Sequence, residues 1–153
     1  MNKLYRNANN ELFVDPIFEN HEGLIEIDQV EFDTILSNLN KPTVKQLLSQ
    51  LTAARKEQEH QGVTINGIRY AGDPGNRQTL QEAITYIEDA GLAEFPSWKD
   101  SDGVFHQNNP LADVKDAVRA IGARRSQLIA AEGEYAAQIA AGTLIDLSEV
   151  VWP

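Results

Sequence analysis

Apolar residues recur along this chain with two periods, one typical of short strands and one typical of helices. The clearest strand signal is segment 63–70, in which an Asn-Gly pair of the kind that a type I′ turn prefers separates two alternating stretches. In the predicted register, Ile65 pairs with Ile68. Val63 then pairs with Tyr70, and all four apolar side chains share one face of a two-residue β-hairpin.

The N-terminal residues predict a second hairpin. Two short apolar stretches flank segment 7–10, whose residues tolerate turn geometry. A four-residue loop places Arg6 opposite Glu11. The same register places Tyr5 opposite Leu12, and both combinations are favourable cross-strand pairs.

A strand and a helix are expected next. Segment 24–27 is a strand candidate, and Asp28 then precedes Glu31 by three residues, which is the spacing of a capping box. The helix that begins there is expected to end at Asn40, because Pro42 stops its continuation.

A further helix is predicted over residues 43–60, with Thr43 as its cap. Its apolar positions follow the i, i+3, i+4, i+7 spacing of a helix face: Val44, Leu47, Leu48, Leu51 and Ala54. Segment 55–60 is polar on every side, so this half of the helix is expected to face solvent or to bridge two modules.

The residues after the Asn-Gly hairpin predict another helix and a third hairpin. Thr79 and Glu82 have capping-box spacing, and Gly91 is expected to close the helix as a C′ glycine. A turn of Asp, Ser, Asp and Gly then joins two short strands. Trp98 and Phe105 are the expected core aromatics of this hairpin.

The last element is a long amphipathic helix from Leu111 to Gly142, with Asn109 as cap and Pro110 in its first turn. Its apolar positions are spaced close to a heptad. They suit a helix packed inside its own domain, and the alternative is a coiled coil between subunits.

Charged residues and glycines interrupt the apolar pattern of this helix. Arg125 and Glu132 occupy two seam positions. Gly122, Gly133 and Gly142 each weaken the helix by about 1 kcal/mol relative to alanine, which argues against one rigid rod. The mostly apolar tail over residues 143–153 is expected to lie on a surface or on a partner.

These elements predict an α+β fold with three segments of different charge. Residues 1–40 form an N-terminal β-hairpin and helix module with a net charge of −6. Residues 41–61 form a connecting helix with a net charge of +2. Residues 62–153 form a C-terminal module of hairpins, two helices and an apolar tail, with a net charge of −6.

Composition excludes several classes of function. The 153 residues carry a net charge of −10, which repels nucleic acid and anionic membranes. The absence of cysteine excludes disulfides, thiol catalysis and cysteine-ligated metals. The first seven residues lack the apolar core of a signal peptide, and no apolar stretch approaches the roughly 18 residues of a membrane span. A soluble protein made in the cytosol is expected.

No motif predicts an active site, a cofactor or a metal. Segment 72–79 lacks the Gly-Lys pair of a P-loop, and segment 100–103 has its glycine too early for a calcium loop. His21, His60 and His106 are far apart and form no metal-binding pair. The one basic cluster is expected to form ion pairs with Asp116 or Glu132, and consists of Arg119, Arg124 and Arg125.

Two stretches resemble proteins encoded beside tail-fibre genes in bacteriophages. Segment 4–32, with Leu12-Phe13-Val14 and Gly23-Leu24 before a capped acidic helix, looks like the leading part of phage tail-fibre assembly proteins. Segment 63–141 is similar to a phage-tail-associated domain of unknown function. The matching features there are the Asn-Gly turn, Asp73 followed by Arg77, the helix to Gly91, Trp98-Lys99 with Asp102-Gly103, and the alanine-rich last helix.

The resemblance implies a non-enzymatic role in tail or tail-fibre construction, as a structural component or as a fibre assembly chaperone. Its partners would be fibre or baseplate proteins, with homo-oligomers through the Leu111 to Gly142 helix. It would work in the host bacterial cytoplasm during assembly, and as a component also in the virion tail. The residues expected to contact partners are Tyr5, Phe13, Trp98, Phe105, Tyr135 and Trp152.

Two other classes of function compete with this one. One is an acidic regulatory binding module of phage or prophage origin, an inhibitor that mimics nucleic acid. It would need carboxylates gathered on one face, whereas here they are spread across both modules. A small hydrolase would need distant acids and histidines to converge on a pocket, with His106 as a candidate base.

Overall fold

Four helices and three small antiparallel sheets make up residues 3–14 and 22–153, the part of the chain that the computed structural model describes. The predicted α+β class is confirmed. The chain divides into two units, Met1–Thr43 and Val44–Pro153. His21 lies outside the described residues.

The first unit contains a three-stranded sheet and one helix. Its elements are β1 (Leu4–Arg6), β2 (Leu12–Val14), β3 (Ile25–Ile27) and α1 (Gln29–Leu39), with strand order β2-β1-β3. Asp28 caps α1 as predicted, since its carboxylate accepts the Glu31 N–H at 2.7 Å. The Glu31 carboxylate accepts a hydrogen bond from Arg6 Nε at 2.9 Å.

The predicted register of the N-terminal hairpin is wrong by one residue. The observed pairs are Leu4 with Val14, Tyr5 with Phe13, and Arg6 with Leu12. Glu11 belongs to the loop, because its N–H donates to the side-chain oxygen of Asn7 at 3.0 Å. Asn10 adopts a left-handed φ of 60°, which asparagine tolerates better than most residues. The asparagine side chains therefore lengthen the loop to five residues.

The second unit contains three helices and two hairpins. Its elements are α2 (Val44–Gln61), β4 (Val63–Ile65), β5 (Ile68–Tyr70), α3 (Pro74–Asp89), β6 (Glu94–Lys99), β7 (Phe105–Pro110), α4 (Leu111–Ala140) and a 3₁₀ turn at Leu147–Glu149. The predicted register of the Asn-Gly hairpin is confirmed, and both turn residues have positive φ. The helix predicted as a connector packs against α4 inside this unit.

The caps predicted for α3 and α4 are both wrong. Asp73 caps α3 by accepting the Asn76 N–H at 3.0 Å, and proline at the first helical position suits that start. Thr79 lies inside the helix. Asn109 lies in β7, where its amide hydrogen-bonds the Tyr70 hydroxyl, and α4 begins without a side-chain cap.

The long helix α4 is continuous over 30 residues, so the expected interruption at its glycines is wrong. A Cβ at Gly122 or at Gly133 would meet nothing within 4 Å, so neither glycine reflects close packing. Packing of one face of α4 against α2, α3 and both hairpins outweighs the intrinsic cost of two glycines.

Two apolar clusters form the core of the second unit. The larger one joins α3 and α4 to the hairpins and contains Ile68, Tyr70, Leu80, Ile84, Ile87, Phe95, Val114, Ala117 and Ile121. The smaller one joins α2, the end of α4 and the tail, and contains Leu47, Leu51, Ile139 and Leu144. The prediction that the tail lies on a surface is confirmed, with Trp152 packed on this cluster.

Candidate functional surfaces

The six aromatic residues expected to contact partners fall into three places. Tyr5 and Phe13 form a cross-strand pair in the first unit, where Tyr5 is buried. Trp98 and Phe105 lie on the β6–β7 hairpin, and Tyr135 and Trp152 lie on α4 and the tail. Within the second unit, the hairpin pair and the tail pair therefore lie on different elements.

Trp98 and Phe105 have opposite environments. Trp98 is half-buried, with its ring 4.9 Å from that of Phe95 in an edge-on contact and 5.8 Å from that of Tyr70. Phe105 is 66% exposed, with Lys99 Nζ 5.6 Å from its ring, so its expected place in the core is wrong. Phe95 is the buried aromatic residue of this hairpin, and Phe105 is the ring that remains open to another molecule.

Tyr135 and Trp152 hold the tail against α4. Their rings meet edge-on with centroids 6.1 Å apart. The Tyr135 hydroxyl donates to the Val151 carbonyl and accepts the Val151 N–H, each at 3.1 Å. Arg124 donates to the Pro153 carbonyl at 2.9 Å. These two aromatics therefore serve an internal contact, and they border an open groove of about 460 Å³.

Asp100 and His106 form the shortest carboxylate–imidazole contact in the described residues. His106 Nε2 lies 2.8 Å from Asp100 Oδ2. Asp100 Oδ1 also accepts the N–H groups of Asp102 and Val104, so the pair closes the turn between β6 and β7. The hydrogen bond from His106 and those two N–H groups hold the pKa of Asp100 below its usual value.

The neighbouring groups serve the same turn. The Ser101 hydroxyl accepts the Ala71 N–H at 2.8 Å, and Arg69 donates to Asp102 at 2.8 Å and to the Ser101 carbonyl at 3.0 Å. Residues 3–14 and 22–153 contain no group of three or more acidic or histidine side chains placed to hold a metal ion. The polar side chains of this turn therefore hydrogen-bond one another and the backbone.

A buried ion cluster connects α2 with α4, and the sequence interpretation missed it. Glu59 is buried and pairs with Arg55 one turn earlier, with Arg125 at 3.3 Å and with Arg77 at 3.7 Å. Arg55 also pairs with Glu132 at 2.5 Å. The expectation that segment 55–60 faces solvent or bridges modules is therefore wrong for Arg55 and Glu59.

Part of this cluster was visible in the sequence. Arg55 and Glu59 have the i, i+4 spacing of a helical ion pair. Arg125 and Glu132 stand at seam positions, where a charge needs an opposite charge on the facing helix. Of the predicted pairs within the basic cluster, Arg119 with Asp116 is confirmed.

Two glycines let the end of α2 approach β5 closely. A Cβ at Gly62 would lie 1.9 Å from the Tyr70 carbonyl oxygen, and one at Gly72 would lie 2.4 Å from the Glu59 carbonyl oxygen. Gly62 also has a φ of +68°. The cleft beside them, lined by Glu59, Ile121, Arg124, Arg125 and Leu128, is too narrow to admit a water molecule.

The first unit buries few of its apolar side chains fully. Its buried apolar residues, within the described part, are Tyr5 and Ile27, and α1 buries none. Ile25 is 49% exposed and Leu39 is 61% exposed. An open groove of about 760 Å³ lies beside β3 and the start of α1, with Leu4, Val14, Ile27 and Phe32 among its lining residues.

Comparison with known proteins identifies a family. The family described as "Domain of unknown function (DUF4376)" matches residues 43–151. No curated protein and no solved structure matches the chain. No helix in the two described stretches is long and apolar enough to cross a membrane.

Proposed function

The chain belongs to the DUF4376 family, and we propose that it is a non-enzymatic bacteriophage tail protein that acts through protein–protein contacts. It works at the tail fibre or baseplate, either as a component or as a chaperone for fibre assembly. Its partners are fibre or baseplate proteins, and its place of action is the host bacterial cytoplasm and, for a component, the virion tail.

The observation that carries the proposal is the exposed apolar surface of the first unit. Units of about 40 residues bury too little surface to be stable without a further contact, a metal or disulfides. This chain has no cysteine, and its first unit leaves Ile25, Leu36 and Leu39 exposed. A protein partner would cover these side chains and would gain their burial as binding free energy.

The resemblance to tail-fibre assembly proteins supports the same function, because its leading part falls on this unit. The features in question are the N-terminal hairpin, Gly23-Leu24 and the helix that Asp28 caps. The second unit supplies a stable body with its own core, and Phe105 is one of its exposed aromatic residues.

An acidic inhibitor is the alternative class. Such a protein presents unpaired carboxylates in an array. Several carboxylates here pair with cations of the same chain, among them Glu26 with Lys3, Glu31 with Arg6, and Glu88 with Lys115. We therefore favour the assembly function.

Mass spectrometry of purified virions tests the proposal. The protein present at a fixed ratio to the fibre identifies a component. Its absence, together with insoluble fibres when its gene is deleted, identifies a chaperone. Absence from virions, together with soluble fibres and full infectivity in the deletion, would overturn the proposal.

A further inference from the structure

Strand β3, one of the two outer strands of the first unit's sheet, has an open edge. Strand β3 pairs with β1, and within the described residues no strand pairs with its other side. Helix α1 packs against β1 and β2. An open edge offers unpaired backbone N–H and C=O groups to an added strand.

Two of the usual protections of an edge strand are missing from β3. It contains no proline and no lysine, and it reads Ile25-Glu26-Ile27. Ile25 is 49% exposed at this edge, opposite Arg6 in the β1–β3 register. A strand laid beside β3 would therefore gain backbone hydrogen bonds and would cover Ile25.

A groove beside β3 has room for one side chain of such a strand. Val14, Leu4 and Ile27 stand in register across the three strands and form an apolar row. This row and Phe32 line the 760 Å³ groove, which has Asp28 among its rim residues. The groove therefore suits an apolar side chain.

Charge decides the chemistry of the partner. The described part of this unit carries six acidic and three basic side chains, a net charge of −3. Two of the three cations are used inside the unit, Lys3 on Glu26 and Arg6 on Glu31. Like charge disfavours a second copy of this unit, and opposite charge favours a basic partner.

We propose that the first unit binds an extended, basic, apolar segment of another polypeptide, which adds as a fourth strand to β3 and places an apolar side chain in the groove. This inference rests on the proposed function, since it names the kind of fibre or baseplate segment that the protein would hold. The affinity comes from main-chain hydrogen bonds and the selectivity from lysine or arginine beside the apolar residues.

Fluorescence anisotropy of the full chain with labelled peptides tests this inference. The probe is a short peptide of alternating valine and lysine. One comparison peptide carries glutamate in place of lysine, and another carries two prolines in place of valines, so that it keeps the charge but cannot form a strand. The valine–lysine peptide is expected to bind at least about tenfold more tightly than either.

Two matched variants locate the site. Ile25→Lys places a protective charge on the edge and is expected to weaken binding about tenfold. Val30→Lys adds the same charge at an exposed position of α1 and is expected to leave binding unchanged. Amide shifts in NMR spectra of the complex should centre on β3, and each variant's free spectrum shows whether it is folded.

Three results would overturn the inference. If the proline peptide bound as tightly as the valine–lysine peptide, binding would reflect only the attraction of a basic peptide to an acidic protein. If Ile25→Lys and Val30→Lys weakened peptide binding equally, the peptide would not bind as a strand beside β3. A dimer of the full chain that Ile25→Lys dissociates would assign the edge to a second copy. These measurements use purified protein, so their failure leaves the virion test of the proposed function standing.

Discussion

The two units of this protein use apolar residues differently. The second unit gathers them into two closed clusters, so that Leu51, Leu80, Ile87 and Ile139 are almost inaccessible to solvent. The first unit encloses Tyr5 and leaves several aliphatic side chains outside. Stability of the second unit is therefore intrinsic, whereas the first unit presents apolar surface that a partner would cover.

Charged residues show the same contrast. In the second unit, Glu59 is buried among arginines and helps to fix two helices. In the first unit, Lys3 and Glu26 pair at 2.9 Å with both side chains more than half exposed, and such pairs contribute little to stability. Substitutions at equivalent features should therefore have large effects in the second unit and small ones in the first.

The largest difference is expected between two glycines with positive φ. Gly62→Ala should cost more than about 3 kcal/mol, because left-handed strain adds to a clash with the Tyr70 carbonyl. Gly23→Ala carries the strain alone, since nothing lies within 4 Å of its Cβ, and should cost about 1 to 2 kcal/mol. Urea unfolding followed by tryptophan fluorescence reports the second unit, which holds both tryptophans, and NMR reports the first.

A control for this comparison is Gly122→Ala in α4. It lies in open space with helical φ and should stabilise the second unit by up to about 1 kcal/mol. Destabilisation at Gly122 comparable with that at Gly62 would contradict the assignment of close backbone approach to the end of α2.

Leucine truncation gives the next largest contrast. Leu51→Ala should lower the free energy of unfolding of the second unit by about 3 kcal/mol, because its side chain joins α2 to Ile139 and the tail. Leu39→Ala, at a residue 61% exposed, should change the stability of the first unit by less than about 0.5 kcal/mol. Similar losses at both positions, measured by urea unfolding, would remove the distinction between the units.

The buried carboxylate is expected to have a smaller effect. Glu59→Gln leaves Arg55 and Arg125 short of a negative partner and should cost about 2 kcal/mol. Glu57→Gln, on the exposed side of the same helix, removes the same charge and should cost less than about 0.5 kcal/mol. If the two variants melt at the same temperature, the cluster does not stabilise the contact between α2 and α4.

The smallest effect concerns acid pH and the β6–β7 turn. The pKa of Asp100 is lower in the folded state, so its carboxylate stabilises the fold at every pH above the unfolded pKa of about 3.9. That contribution is lost as the pH falls through the folded pKa. The stability gap between wild type and Asp100→Asn, from urea unfolding at successive pH values, should therefore close below about pH 4.

Asp89→Asn provides the control for net charge in this series, because Asp89 is exposed at the end of α3. A gap for Asp100→Asn that stays constant down to pH 2 would show that ionisation of Asp100 does not contribute to the turn.

Local signals predicted the parts of the fold that depend on neighbouring residues. The Asn66-Gly67 turn fixed its own register, because both residues accept positive φ. Gly91 closes α3 with a φ of +65°, as its position after the helix indicated. Asp73 followed by a proline also indicates the observed start of α3. The capping-box spacing of Thr79 and Glu82 indicates a later start, which is wrong.

The candidate surfaces were less predictable, because burial of an aromatic residue depends on what packs over it. Phe95 and Phe105 lie on the same hairpin, yet Phe95 packs on Trp98 and Phe105 points outward. Asn108, with a left-handed φ of 54° opposite Pro96, breaks the simple alternation of faces. The spacing of apolar residues does not report such a break.

The sequence by itself determined the α+β class, the order of helices and strands, and the Asn66-Gly67 turn, because these follow from interactions within a few residues. Tertiary structure alone decided which polar groups are buried. Asn109 bonds Tyr70 across 39 positions, and Glu59 pairs with Arg125 of another helix. Such groups are buried only when a distant partner satisfies them, and the chain brings that partner near only by folding.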